Sequence, residues 1–147
     1  MKILITSDIH GRVCYLDKIL QTSDFDLIID AGDSNLEQHQ LKIRNILSVK
    51  GNTDYYLDLP LFRIIDLEIG KVLITHGHQE AVKWGLSKLR SKAETLAVDY
   101  VIFGHTHQLL IEEINGIKYL NPGSLGYDKT YLVIDKKQIT RRELKND

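Results

Sequence analysis

Apolar residues fall along this chain in short runs, each closed by a glycine or a polar residue. Ile3-Leu4-Ile5, Leu27-Ile28-Ile29 and Ile46-Leu47-Ser48-Val49 read as buried strands. Between them, 13–21 places Leu16, Ile19 and Leu20 at helical spacing, and 36–45 reads as a short polar helix. Strand and helix alternating at this rhythm predict parallel pairing with crossover helices. The texture changes after Pro60. Two strands, 62–67 and 71–75, flank Gly70 as a hairpin. The longest predicted helix, 81–98, carries Val82, Leu86, Leu89 and Leu96 near one stripe. A buried strand at 100–103 follows. The Asn115-Gly116 turn then joins 109–111 to 117–120, and a last hairpin pairs 131–134 with 138–140 ahead of a charged, frayed tail. A parallel-type first half and a hairpin-rich second half predict two packed sheets with helices outside, with 1–147 as one domain and no internal repeat or linker.

Composition adds boundaries. A chain of 147 residues, 43% hydrophobic and 27% charged, has the make-up of an ordinary globular domain. Its net charge of −1 supplies no positive field to gather nucleic acid, and no segment has the length of a membrane span. One cysteine, Cys14, allows no internal disulfide or thiolate cage, and a cytoplasmic setting is expected. Cys14 is expected to be a small core residue of the first helix, and Trp84 a packing residue unless exposed, when it would mark a partner surface. His39 reads as a solvated residue, and Lys136, Lys137, Arg141 and Arg142 as turn and tail charges.

The candidate chemistry sits just past the buried strands. Asp8 and His10 follow the first, Gly32-Asp33 the second and Gly51-Asn52 the third. His76-Gly77-His78 follows the 71–75 strand, and Gly104-His105-Thr106-His107 follows the 100–103 strand. Open α/β sheets place their sites at this carboxyl edge. In extended backbone, the two imidazoles of H-x-H point the same way about 7 Å apart. Taken singly, each residue is more often a turn former or a cap, as Asp8 and Asn52 illustrate. Five stations at one edge are hard to obtain by accident. Carboxylates and imidazoles without thiolates suit manganese, iron, zinc, nickel or cobalt. Asp33 is the bridging candidate, because a carboxylate can hold two cations at once. His78 reads equally as a residue of the site, contacting substrate or supporting a ligand, and as neither.

These five motifs, in this order, resemble the calcineurin-like metallophosphoesterase superfamily, and the small size with the Asn121-Pro122-Gly123-Ser124 loop resembles its short prokaryotic phosphodiesterase branch. The resemblance implies an α/β fold (α+β by some schemes), a four-layer αββα sandwich of two mixed β-sheets flanked by helices. It implies two divalent metal ions, manganese foremost. One would take Asp8, His10, Asp33 and His107, the other Asp33, Asn52, His76 and His105. The expected activity is that of a hydrolase: phosphodiester or other phosphoester cleavage by a hydroxide bridging the two metals, with Asp33, Asn52, His76 and His78 as the catalytic group. The partner is then a small-molecule phosphoester, with neither membrane nor nucleic acid expected, and a homodimer is an assembly the branch admits. One departure matters. Larger members carry Gly-Asn-His plus an acid where this chain has Gly51-Asn52-Thr53-Asp54. Thr53 cannot act as a general acid near neutral pH, which fits the short branch and leaves the leaving-group acid unassigned. The competing expectation is a retromer-subunit-like interaction scaffold. It would predict substituted ligands, and all seven are present.

Overall fold

The computed structural model describes residues 1–145. Two five-stranded mixed sheets form its centre. The first runs β10-β9-β1-β2-β3, from β1 (Lys2–Thr6), β2 (Leu27–Asp30), β3 (Ile46–Ser48), β9 (Thr130–Asp135) and β10 (Gln138–Glu143). Here β1, β2 and β3 are parallel, while β9 and β10 add antiparallel strands. The second sheet runs β4-β5-β6-β8-β7, from β4 (Phe62–Leu67), β5 (Gly70–Thr75), β6 (Tyr100–Ile102), β7 (Leu110–Ile114) and β8 (Ile117–Asn121). Its β5, β6 and β8 are parallel, and its edges are antiparallel.

Strand alternation sorts the apolar residues into three layers of contact. Ile3, Ile5, Ile29, Leu132 and Ile134 of the first sheet meet Val72, Ile74, Tyr100, Ile102 and Leu120 of the second in a buried core. The opposite face of the first sheet, through Leu4, Ile28 and Val133, packs on Leu16 and Ile19 of α1 (Val13–Thr22) and Leu41 of α2 (Gln38–Ile43). The opposite face of the second, through Leu73, Val101 and Tyr119, packs on Leu89 and Ala93 of α3 (Ser87–Leu96). The result is the expected αββα sandwich.

Several expectations are corrected. The helix expected at 81–98 is broken. Ala81 is left-handed (φ 53°), Val82–Trp84 is one 3₁₀ turn, and Gly85 at φ 127° takes a backbone that side chains resist, so α3 starts only at Ser87. Cys14 is exposed rather than packed. It lies two residues before Leu16, about 200° around the helix from the buried stripe. Trp84 does not pack either, being 93% exposed. Arg141 and Arg142 belong to β10, not to a tail, and the fraying expected at 146–147 lies outside the described residues. A short helix, α4 (Leu125–Asp128), was not expected, and it starts where the Ser124 hydroxyl accepts from Tyr127 N–H. No helix among the described residues is long and apolar enough to cross a membrane.

Candidate metal centre

The carboxyl ends of β1, β2, β3, β5 and β6 converge. Backbone bonds tie the corners together: Asp8 N–H donates to Gly32 O, His10 N–H to Asp33 O, and Gly104 N–H to His76 O, each at 3.0 Å. Five of the seven predicted ligands turn those corners in the left-handed region: Asp8, His10, Asp33, His105 and His107, with φ from 49° to 72°. Asn35 joins them at φ 52°. Such backbone is sparsely populated by side-chain-bearing residues and clusters at functional sites. Close packing explains two of the motif glycines. A Cβ on Gly104 would strike the Ser7 hydroxyl and Asp8 Oδ2, and one on Gly51 would strike the Asp33 carboxylate.

Two groups of donor atoms result, Asp8-His10-His107 and Asp33-His76-His105, the atoms in each lying within 4.8 Å of one another. In the first, Asp8 is fully buried. Its Oδ2 accepts from Ser7 Oγ at 2.7 Å and His105 N–H at 3.1 Å. Its Oδ1 is buried with no hydrogen-bond partner. That oxygen lies 3.2 Å from His107 Nε2 and 3.7 Å from His10 Nε2. In the second group, His76 Nε2 lies 3.1 Å from Asp33 Oδ2 and 2.9 Å from Asn52 Oδ1. The groups meet through His76 Nε2, 3.9 Å from Asp8 Oδ1. An orphaned buried carboxylate oxygen facing imidazole nitrogens, with oxygen and nitrogen donors only, fits hard-to-borderline divalent cations.

The imidazoles are oriented from behind. His76 Nδ1–H donates to Ala31 O at 2.8 Å, which turns Nε2 toward the site. His10 Nδ1 does the same toward Asn35 Oδ1 at 3.1 Å. Asn35 is fixed by Thr53 Oγ1 at 2.9 Å and by Asp54. Asp54 anchors the loops, among them that of the predicted ligand Asp33: its carboxylate accepts from the backbone N–H groups of Asp33, Asn35 and Gly51.

Burial pushes the Asp33 carboxyl up, but the His76 hydrogen bond and charge, with donation from Thr53, hold it below the ordinary carboxylate range. Burial lowers His76, yet Asp33 and Asp8 outweigh it and raise the imidazole above its usual value. His105, desolvated and beside His76, is lowered to about 4, and so stays neutral with a lone pair free. His78 is also lowered, by burial and by His76. Its ring lies 5.5 Å from that of His76 and 6.2 Å from that of His105, and its buried Nδ1 has no partner. His39 is solvated, as expected.

Sequence reasoning missed Asn35, although it lies only two residues after Asp33 and asparagine favours the left-handed backbone it adopts. It also missed Tyr127, which stacks on His10 with ring centroids 4.9 Å apart. No local signal marks Tyr127, since α4 reaches the site only through tertiary structure.

Fold and donor set together define an α/β sandwich with a candidate metal cluster at one end of its strands. A family profile for the calcineurin-like phosphoesterase superfamily domain matches residues 1–138, and the chain belongs to that family. It is 36% identical to the probable metallophosphoesterase YsnB of Bacillus subtilis over 131 residues, covering 85% of this chain and 75% of that protein. It is 30% identical to the phosphodiesterase MJ0936 of Methanocaldococcus jannaschii over 144 residues, covering 84% and 83%. Among solved structures, a predicted phosphoesterase from Streptococcus pneumoniae superposes with TM-score 0.83 at 26% identity, covering 95% of this chain and 86% of that one. Vacuolar protein sorting 29 from Cryptosporidium parvum shares the fold, with TM-score 0.78 at 16% identity, covering 96% and 95%.

Proposed function

We propose that this chain, acting as one domain over 1–147, is a two-metal phosphodiesterase. Asp8, His10, Asp33 and His107 would hold one ion, and Asp33, Asn52, His76 and His105 the other. The observation that carries the reading is the orphaned Asp8 Oδ1, buried and facing His10 and His107. When bound there, a pair of divalent cations, manganese foremost, would supply Lewis acidity to acidify a water and neutralise phosphate oxygens. The chain's own residues do the rest. The ionised Asp33 carboxylate presents Oδ2 beside His76 and would be the ligand shared by both ions. Backbone donors to Asp8 and Asp33 fix both carboxylates, so little reorganisation remains when substrate binds. His78, half-buried beside His76 and His105, faces the substrate as a contact to a phosphate oxygen. Thr53 holds Asn35 and donates no proton to the leaving group. The phosphodiester preference draws support from the MJ0936 relative, a phosphodiesterase.

The test is turnover of bis(p-nitrophenyl) phosphate by purified protein with added manganese. Asp33→Ala is expected to lose more than about a hundredfold in rate, and Thr53→Ala less than about tenfold, since only the first removes a ligand rather than a support for one. Equal, small losses would refute the assignment. A second reading, an interaction scaffold, is favoured by the exposed Trp84, and the absence of turnover with any divalent metal would support it.

A further inference from the structure

A cleft of about 400 Å³ opens beside His107, lined by His107, Leu109, Asp128, Thr130, Arg141 and Glu143. Its position follows from the sandwich. In β10, Ile139, Arg141 and Glu143 share one face, and Ile139 packs into the core between the sheets. Register agrees: Arg141 lies opposite Leu132, a residue of that core, and Glu143 opposite Thr130. Leu109, just before the edge strand of the other sheet, also packs on that core. The cleft is therefore the mouth of the seam between the two sheets, and it opens at a candidate ligand.

Its chemistry is unspent. None of the hydrogen bonds or ion pairs among the described residues engages the side chains of Arg141, Asp128 or Glu143. The Thr130 hydroxyl donates to Pro122 O at 2.8 Å, which leaves its lone pairs free to accept. An anionic group entering here would meet two carboxylates, and a cationic one the guanidinium. Neutral hydroxyl groups satisfy both, donating to Asp128 and Glu143 and accepting from Arg141, with Leu109 as an apolar wall for carbon.

We propose that this cleft binds the alcohol substituent that the phosphoester retains, and that it selects a neutral, polyhydroxylated one, a glyceryl or glycosyl group. Arg141, Asp128, Glu143 and Thr130 are then specificity-determining residues. The proposal rests on the phosphodiesterase reading above.

The experiment uses four manganese-supported p-nitrophenyl phosphodiesters that share one leaving group and differ in the other substituent: glyceryl, ribosyl, propyl and carboxyethyl. Glyceryl or ribosyl is expected to exceed propyl by at least about tenfold in kcat/KM. Whichever of the two is faster separates a glycerol from a sugar as the source. In R141A and E143A the hydroxyl-to-propyl ratio is expected to fall toward one. Calorimetry gives a readout without turnover: glycerol phosphate should bind more tightly than propyl phosphate, and the variants should erase that difference. Equal rates for propyl and the hydroxyl-bearing esters, a preference for carboxyethyl, or a ratio unmoved by both variants would overturn the cleft assignment alone. Turnover of none of the four with any divalent metal would instead take down the phosphodiesterase reading, and the cleft proposal with it.

Discussion

Asp54→Asn is a change of one atom that the structure treats as severe. The carboxylate is buried, with 1% of the residue exposed. Its Oδ2 accepts from Asp33 N–H and Gly51 N–H, both at 2.8 Å. Its Oδ1 accepts from Asn35 N–H and Asn35 Nδ2–H, both at 3.1 Å. Each oxygen thus serves two donors. An amide keeps one oxygen and turns an NH₂ toward the other pair, so two donors lose their acceptor whichever way it is flipped. Hydrogen bonds to charged groups contribute about 1.5–3 kcal/mol each, so the loss is about 3–6 kcal/mol. Domains have only about 5–15 kcal/mol in total. At about 2–4 °C per kcal/mol for a chain of this size, the melting midpoint should drop by roughly 6–24 °C. If the shorter pair keeps the oxygen, Asn35 is held only through Thr53, the acceptor that orients His10 is loosened, and metal affinity falls by up to about 10–100-fold. Circular dichroism melting and manganese calorimetry, with Asn35→Ala as the variant that removes the His10 acceptor but leaves the Asp33 and Gly51 bonds to Asp54 in place, measure the two effects separately. A variant melting within about 2 °C of the parent and binding manganese equally well would refute the reasoning.

Three further outcomes follow from the site and its floor. Asp30 is fully buried, and burial, opposed by donation from Ser48 and Gly32, pushes its carboxyl from 3.8 up to about 8. The folded state therefore holds a proton that the unfolded chain releases, and stability falls as pH rises between about 4 and 8, by up to about 1.4 kcal/mol per pH unit from this group. Asp30→Asn should flatten that slope in urea titrations at pH 6 and 8, and parallel slopes for variant and parent would contradict it. His76, raised above its usual value against Asp33, must shed a proton to take a cation. Manganese affinity should climb as pH rises through that raised value, with proton release visible by calorimetry in buffers of different ionisation enthalpy; equal affinity at pH 6 and 8.5 would count against it. With Thr53 where larger relatives carry histidine, rates should fall steeply with leaving-group pKa across aryl and alkyl esters. A flat series, with chemistry shown to limit the rate, would reveal a proton donor elsewhere.

The strands and their terminal stations were legible because both are local. A run such as Tyr100-Val101-Ile102 is buried wherever it goes, and the glycine and histidines after it must sit at its end. What was not legible is relational. The stripe of Val82, Leu86 and Leu89 does reach one core, but it does so across a break at Gly85 that periodicity alone does not show. The outward face of Cys14 follows from its angle to Leu16, which a count of apolar residues ignores. Asn35 and Tyr127 both serve His10 from far along the chain, at 25 and 117 positions' remove, so nothing near His10 announces them. The three backbone partners of Asp54 depend on how two loops meet.

Six residues of the centre hold backbone angles that glycine would adopt freely: Asp8, His10, Asp33, Asn35, His105 and His107. Each such corner costs of order 1 kcal/mol or more. Replacing His105, whose side chain makes no hydrogen bond among the described residues, by glycine would relieve that strain while deleting a donor, so at such a corner the metal-free chain resists unfolding better in a version that has lost its chemistry. Screens of this protein for heat tolerance alone should accordingly drift toward inert variants, and any selection for robustness needs a turnover assay run alongside it.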